Sequence, residues 1–216
     1  MYGIGITTKD RLNLLKELVD SIHKHTDMSN VLLHIEDDSI DNIGVAKRKN
    51  NCLRALRGCE ALFLLDDDVK IIKDGWIEFF IESKQQHLLF LNRGLHQKKA
   101  IEDNLFNENE LKYTVEYYHD CGGVFLFMTK EVIEKVGAFN EKFTPYGFEH
   151  CEYSIRILGE QNNYPMLKGT DEYIFAHDYS TYGHKSSITE KEKQICIKNN
   201  WTKFFNEPIK KIYIPL

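Results

Sequence analysis

Three short apolar runs open this chain, and each breaks off in hydroxyls or carboxylates. Residues Tyr2 to Thr7, Val31 to Glu36 and Ala61 to Leu65 have the length and character of buried strands. The first ends in Thr7-Thr8, the second in Asp37-Asp38-Ser39 and the third in Asp66-Asp67-Asp68. Two segments with helical spacing lie between them. Asp10 is placed to cap a helix from about Arg11 to His25, with Leu12, Leu15, Leu18, Val19 and Ile22 on one face. Gly44 opens a basic helix through about Arg57, with Val45, Cys52, Leu53 and Leu56 as inner positions. Strand, helix, strand, helix, strand is the start of an open parallel α/β sheet. Ligands of such sheets bind beyond the carboxyl ends of the strands, so the three polar strand ends should converge on one site.

The acidic triplet is the sharpest of these ends. Burying three adjacent anions without a counter-charge costs several kcal/mol, so something positive is expected there. A divalent cation fits, because hard cations take oxygen ligands from Asp. Taken alone, the triplet also fits a solvated acidic turn. Lys47, Arg48 and Lys49 form a positive cluster suited to a diphosphate, or else a solvated helix face. Asp37 and Asp38 can accept hydrogen bonds from a ligand, or build a local turn with their own backbone.

The rest of the chain continues the alternation. Gly75 to Ser83 reads as a short helix and His87 to Leu91 as a strand. Residues 92–118 are polar and irregular, and are expected to form a mobile excursion. Gly122 to Thr129 reads as a strand, Lys130 to Val136 as a helix that Gly137 ends, and Phe148 to Leu158 as a helix carrying Glu149, Glu152 and Arg156. A last strand, Tyr173 to Ala176, is followed by His177-Asp178, and a basic helical tail starts near Thr189. With no internal repeat or low-complexity linker, a single domain over 1–216 is expected. That domain would divide into residues 1–91, residues 92–180 and a tail, 181–216.

A net charge of −5 argues against broad nucleic-acid binding. The N-terminus has no charged region followed by a long apolar stretch, so no signal peptide is expected. No run approaches the roughly 18 apolar residues of a membrane span. The cysteines, Cys52, Cys59, Cys121, Cys151 and Cys196, show no paired or CxxC spacing, which points to reduced thiols, a cytoplasmic protein and no zinc finger.

Five ordered pieces over roughly residues 3 to 180 resemble the nucleotide-sugar glycosyltransferases of the GT-A fold, particularly the family-2 group. Ile6-Thr7-Thr8-Lys9-Asp10-Arg11 resembles their first strand and Thr-x-x-x-Arg turn. Ile35-Glu36-Asp37-Asp38-Ser39 is similar to the Asp pair that receives uracil and ribose. Gly44 through Lys49-Asn50 to Leu53 is similar to the Gly…Arg-Asn…Gly helix, with Lys49 and Cys52 departing from the usual Arg and Gly. Asp66-Asp67-Asp68 resembles the DxD metal motif. Gly137-Ala138-Phe139-Asn140-Glu141-Lys142-Phe143, then Gly147-Phe148-Glu149-His150-Cys151-Glu152 and Arg156, is similar to the family's Gly-Gly-Phe-Asp-Glu-x-Phe … Glu-Asp-x-Asp … Arg stretch.

The resemblance implies a Rossmann-like three-layer α/β/α sandwich with a mostly parallel central sheet. It implies a metal-dependent transfer from a UDP-sugar to a hydroxyl acceptor, foremost a glycan. Nucleotide-sugar binding falls to Thr7, Thr8, Arg11, Asp37, Asp38, Lys49, Asn50, Asp66, Asp67, Gly122 and Gly123. Mn²⁺ or Mg²⁺ falls to Asp66, Asp68 and His177, with His184 a competitor for the last place. An imidazole ligand suits Mn²⁺ better. Catalysis falls to His150, Glu149 and Glu152. His150 stands where inverting relatives carry an Asp base, and histidine can serve as a base. Glu149, Glu152, Ser154 and Arg156 also match the Glu-x-x-Glu-x-Ser-x-Arg pattern of some retaining relatives, so inversion is the first expectation and retention stays open. Cys121-Gly122-Gly123 would line the sugar pocket, and Trp76, Tyr146 and Phe148 would stack on sugar faces. The excursion and tail would face the acceptor. A sugar nucleotidyltransferase is the competing enzyme class, but the Thr7 to Arg11 loop lacks its glycines. A decayed nucleotide-binding protein is the non-enzyme alternative.

Overall fold

A computed structural model of the chain describes residues 1–90, 98–107, 110–119, 122–159, 163–177, 189–206 and 213–216. Strand β1 (Tyr2–Thr8), helix α1 (Leu12–His25), β2 (Val31–Asp37), α2 (Val45–Ala55) and β3 (Ala61–Asp66) follow the predicted alternation. They continue into β4 (Val69–Ile71), α3 (Trp76–Glu82), β5 (His87–Leu89), β6 (Lys98–Asn107) and β7 (Glu110–Tyr118). Then come β8 (Phe125–Thr129), α4 (Lys130–Val136), α5 (Glu149–Leu158), β9 (Tyr164–Leu167), β10 (Ile174–Ala176) and α6 (Glu190–Asn206).

The central sheet has the order β2-β1-β3-β8-β5. β1 pairs in parallel with both β2 and β3, while β8 runs antiparallel to β3 and β5. Four strands therefore share one direction and only β8 opposes them. The molecule is a mostly parallel α/β/α sandwich. Glycines in β1 let a helix pack tightly on one face. A Cβ on Gly5 would stand 2.7 Å from Leu64 and 2.8 Å from Cys52 of α2. On either side of Gly5, Ile4 and Ile6 are fully buried.

Some expectations change. Asp10 does not cap α1. Its backbone is left-handed and its N–H donates to Ser39 Oγ at 2.9 Å, leaving Arg11 as an N-cap without a side-chain bond. Leu12 is 69% exposed, because the buried face of α1 runs through Leu14, Leu18 and Ile22 instead. The polar excursion contains a long antiparallel hairpin, β6 with β7, joined by β9 into a three-stranded sheet. Tyr113, Val115 and Tyr118 of β7 are buried, so its β-branched and aromatic residues found partners despite charged neighbours. Trp76 is 1% exposed, with its ring against Phe63 and its indole N–H donating to Thr26 Oγ1 at 2.9 Å. It is a core residue and cannot stack on a sugar. Among the described residues, no helix is long and apolar enough to cross a membrane.

β4 and β10 form a separate antiparallel pair that bears on the site. Ala176 pairs with Val69, and the next residue's N–H, that of His177, donates to the Asp68 carbonyl at 2.8 Å. A remote stretch of chain is thus laid beside the acidic turn.

Candidate active site

The carboxyl ends of β1 and β3 meet as the parallel register requires, with Thr7 opposite Asp66. Thr7 Oγ1 donates to Asp66 Oδ1 at 2.8 Å and Thr8 Oγ1 to Asp67 Oδ2 at 2.5 Å. Arg11 reaches in from the start of α1. Its Nε donates to Asp67 Oδ2 at 3.1 Å, a terminal nitrogen pairs with Asp67 Oδ1, and Nη1 lies 3.7 Å from Asp68 Oδ2. Asp67 and Asp68 are buried while Asp66 is partly open. Burial raises the Asp67 carboxyl to about 6 against the pull of Arg11 and Thr8. Burial and the Asp66 charge raise Asp68 to about 7, again against Arg11. Negative charge is therefore crowded here beyond what one guanidinium offsets.

A cavity of about 600 Å³ opens beside this cluster, lined by Asp10, Arg11, Leu12, Asn13, Asp37 and Ser39. Asp37 lies exposed at its edge and accepts from the Ser39 N–H at 2.9 Å. Asp38 is turned inward. It accepts from the Ile43 and Gly44 N–H groups at 2.7 and 3.1 Å and from Arg48 Nε at 3.0 Å. It thereby builds the loop from β2 into α2. A larger cavity, about 720 Å³, lies at the opposite, amino end of the sheet by Tyr2, His25 and Asp74, far from the polar strand ends. Proximity to the carboxylates, not size, selects the first.

The second half of the site is built around Lys49, fully buried on α2. Its Nζ lies 3.2 Å from Glu149 Oε1 and 3.8 Å from Asp66 Oδ1, and donates to the Gly123 carbonyl at 3.2 Å. His150 Nδ1 lies 3.2 Å from the same Glu149 oxygen. Burial alone would raise Glu149, but Lys49 and His150 hold it well below the usual carboxylate range. Burial opposes charge on His150, yet Cys151 and Glu149 outweigh it and raise the imidazole well above its ordinary value. Gly123 is what admits this ring, since a Cβ there would lie 2.5 Å from His150 Nδ1. Gly122 is half-buried beside it. Burial pushes the Tyr146 hydroxyl up to about 12, reinforced by the charges of Glu149, Asp66 and Asp68. Tyr146 belongs to the loop before α5, and the residue as a whole is 41% exposed.

Comparison with known proteins identifies the fold. A crystal structure of Staphylococcus aureus TarS superposes over 97% of this chain and 40% of its own, with a TM-score of 0.58 and 14% identity. GalNAc-T7, crystallised with UDP, GalNAc and Mn²⁺, matches over 77% of this chain and 42% of its own, with a TM-score of 0.56 and 10% identity. A mutant Drosophila β1,4-galactosyltransferase 7 in complex with manganese, UDP-Gal and xylobiose matches over 91% and 79%, with a TM-score of 0.51 and 16% identity. The chain has the GT-A fold of the nucleotide-sugar glycosyltransferases. It is also 27% identical over 147 residues to an uncharacterized glycosyltransferase of Acanthamoeba polyphaga mimivirus, covering 64% of this chain and 56% of that relative. The chain thus spans little more than half of that relative's length. No protein-family model matches it.

Not every expected residue of this GT-A chain meets at the centre. Asn50 faces away from it. Its amide donates to the Phe139 carbonyl and Glu141 at 3.1 and 3.0 Å and accepts from the Phe139 N–H at 2.7 Å. Glu152 accepts from Arg156 Nε at 2.9 Å, and Arg156 donates on to the Val136 and Ala138 carbonyls at 2.7 and 2.6 Å. That pair braces the turn after α4. Ser154 bonds the buried His87 at 2.9 Å. His177 neighbours Asp68 through its backbone, but its Nε2 lies 3.8 Å from Glu17 Oε2. Among the described residues no three His, Cys, Asp or Glu side chains are gathered to hold an ion. The carboxylates still fit a hard cation, since the buried acidic excess is chemically what such an ion neutralises. Cys121, Asp178 and His184 lie outside the described residues.

The sequence points to Lys49 and Gly123 as nucleotide-sugar contacts, but it does not show that Lys49 is buried against Glu149 or that Gly123 makes room for His150. A lysine beside two other cations looks like surface, and only its partners 74 and 100 positions onward make it a buried hub.

Proposed function

We propose that this protein transfers a sugar from a UDP-sugar to a hydroxyl acceptor, with a divalent cation at Asp66 and Asp68. The observation that carries the reading is the crowded, buried acidic end of β3 next to the Asp37-lined cavity at the carboxyl ends of parallel strands. Thr7, Thr8, Arg11 and Asp37 would hold the nucleotide. Asp66 and Asp68 would hold Mn²⁺ or Mg²⁺, with His177 as a third ligand once its ring leaves Glu17. When bound, that ion supplies positive charge to the departing diphosphate. The solved relatives holding UDP and Mn²⁺ support the same assignment by fold.

The state of α5 bears on stereochemistry. A base must begin unprotonated, and Cys151 and Glu149 raise the His150 imidazole well above its ordinary value against burial, which works against that role. Against burial, Lys49 and His150 hold the Glu149 carboxyl below the usual carboxylate range, which makes it a weak acceptor of protons. This favours retention over the first expectation of inversion. In a retaining transfer the bond from anomeric carbon to phosphate breaks as the acceptor oxygen bonds to that carbon on the same face. The acceptor proton leaves with the phosphate. Lys49, Glu149 and His150 then orient sugar and acceptor without taking that proton.

The test is UDP release from a panel of UDP-sugars with Mn²⁺ and with chelator. Metal-dependent release from one donor is expected. Absence of both release and Mn²⁺-dependent UDP binding would overturn the assignment, and the product's anomeric configuration decides between retention and inversion.

A further inference from the structure

Helix α6 reaches the candidate site only through the loop in front of α5, but it grips that loop closely. Asn200 is wholly buried. Its side-chain amide donates to the Tyr146 carbonyl at 2.9 Å and the Gly147 carbonyl at 3.0 Å. One turn on, Lys203 Nζ donates to the Lys142 carbonyl at 2.9 Å and to Asn200 Oδ1 at 3.3 Å. The Phe148 ring packs against Phe204 and Trp201 of the same helix, at 5.2 and 5.7 Å between centroids.

What the helix grips is strained. Phe148 has a φ of +71°, a conformation that costs a non-glycine residue about 1 kcal/mol or more. It is also the N-cap of α5, and its carbonyl accepts the Glu152 N–H at 3.0 Å. The turn at Phe148 therefore sets where α5 starts and aims Glu149 at Lys49 and His150. The same loop also meets the start of α2, where the Val45 N–H donates to the Pro145 carbonyl at 3.2 Å.

We propose that Asn200 is a positioning residue for sugar transfer, holding Tyr146 and Glu149 in register with the donor from the C-terminal helix. The proposal rests on the glycosyltransferase reading and gives the tail a part in the site. Because Asn200 grips the turn that leads directly into α5, its loss should lower turnover more than nucleotide affinity.

The experiment compares wild type, Asn200→Ala, Lys203→Met and Ile195→Ala, an exposed position on the same helix. Three readouts are taken on each: donor kinetics, amide hydrogen exchange across 145–149, and the melting curve. Folded Asn200→Ala should lose about 10- to 100-fold in kcat with donor KM within about threefold, because sub-ångström misplacement has effects of that order. Exchange across 145–149 should quicken in the same variant. Lys203→Met should show a smaller loss in the same direction, and Ile195→Ala none. Unchanged kcat, or a rise in KM with kcat intact, overturns the proposal. If Asn200→Ala does not fold, Lys203→Met decides, and unchanged kcat there overturns it equally. If wild type neither turns over a UDP-sugar nor binds UDP with Mn²⁺, the transferase reading fails by itself, and exchange across the loop still shows whether Asn200 latches it.

Discussion

The two halves of the site handle buried charge in opposite ways. At the end of β3, Asp67 and Asp68 stand with Asp66 and share Arg11, and their carboxyls rise to about 6 and about 7. At the start of α5, Glu149 is buried as deeply, yet it sits between Lys49 and His150 and its pKa falls. Burial acts alike on both, so the difference lies in the counter-charges. The first half is left with an anionic surplus that suits an incoming cation. The second is already neutralised and suits orientation better than proton transfer.

The largest effect should come from unbalancing the neutralised half. Lys49→Met leaves Glu149 buried without its cation and should cost about 3–5 kcal/mol in urea denaturation. Adding Glu149→Gln should recover much of that. A single variant as stable as wild type would break the comparison. Next is Asp68→Asn, which should weaken Mn²⁺-dependent UDP binding by more than about 100-fold in calorimetry. It should also leave the metal-free melting temperature unchanged or higher, since a repelling charge is removed. Loss of the metal-free fold instead would mean that Asp68 serves structure.

A pH effect of similar kind comes from His87, which ties the sheet to α5 through Phe127 and Ser154 at 2.8 and 2.9 Å. Burial pushes its pKa down to about 4. The unfolded chain then binds the proton first as pH falls, so stability is full above about 6.5 and drains away toward pH 4. Between pH 7 and pH 5 this group should account for about 2 kcal/mol, and His87→Gln should flatten that part of the profile. The smallest effect should be Gly123→Ala, whose methyl would displace the His150 ring. Turnover should fall about tenfold with UDP affinity unchanged. A fall in UDP affinity instead would place Gly123 on the nucleotide side.

Local pattern made much of the fold legible. The alternation through β3 is visible because each element carries its own periodicity, and α4 falls on the very residues expected, Lys130–Val136. β9 and the hairpin before it were not legible, because β7 is stabilised by pairing Val115 with Leu167, 52 positions away, and no local signal reports such a partner. Site roles divide in the same way. Asp37 and Asp38 have the same chemistry and adjacent places, yet one lines the cavity and the other caps its own loop. Asn50 and Glu152 sit in motif-like positions and bond instead to segments that brace the site.

The sequence by itself determined that hydroxyls and carboxylates would stand together at the ends of parallel strands, since strand length and helical spacing dictate that geometry locally. Only the tertiary structure decided which charges are paired. Lys49, Asp66 and Glu149 come from three distant segments, and in a buried setting a few ångströms between them determine whether a carboxylate is stabilised or strained.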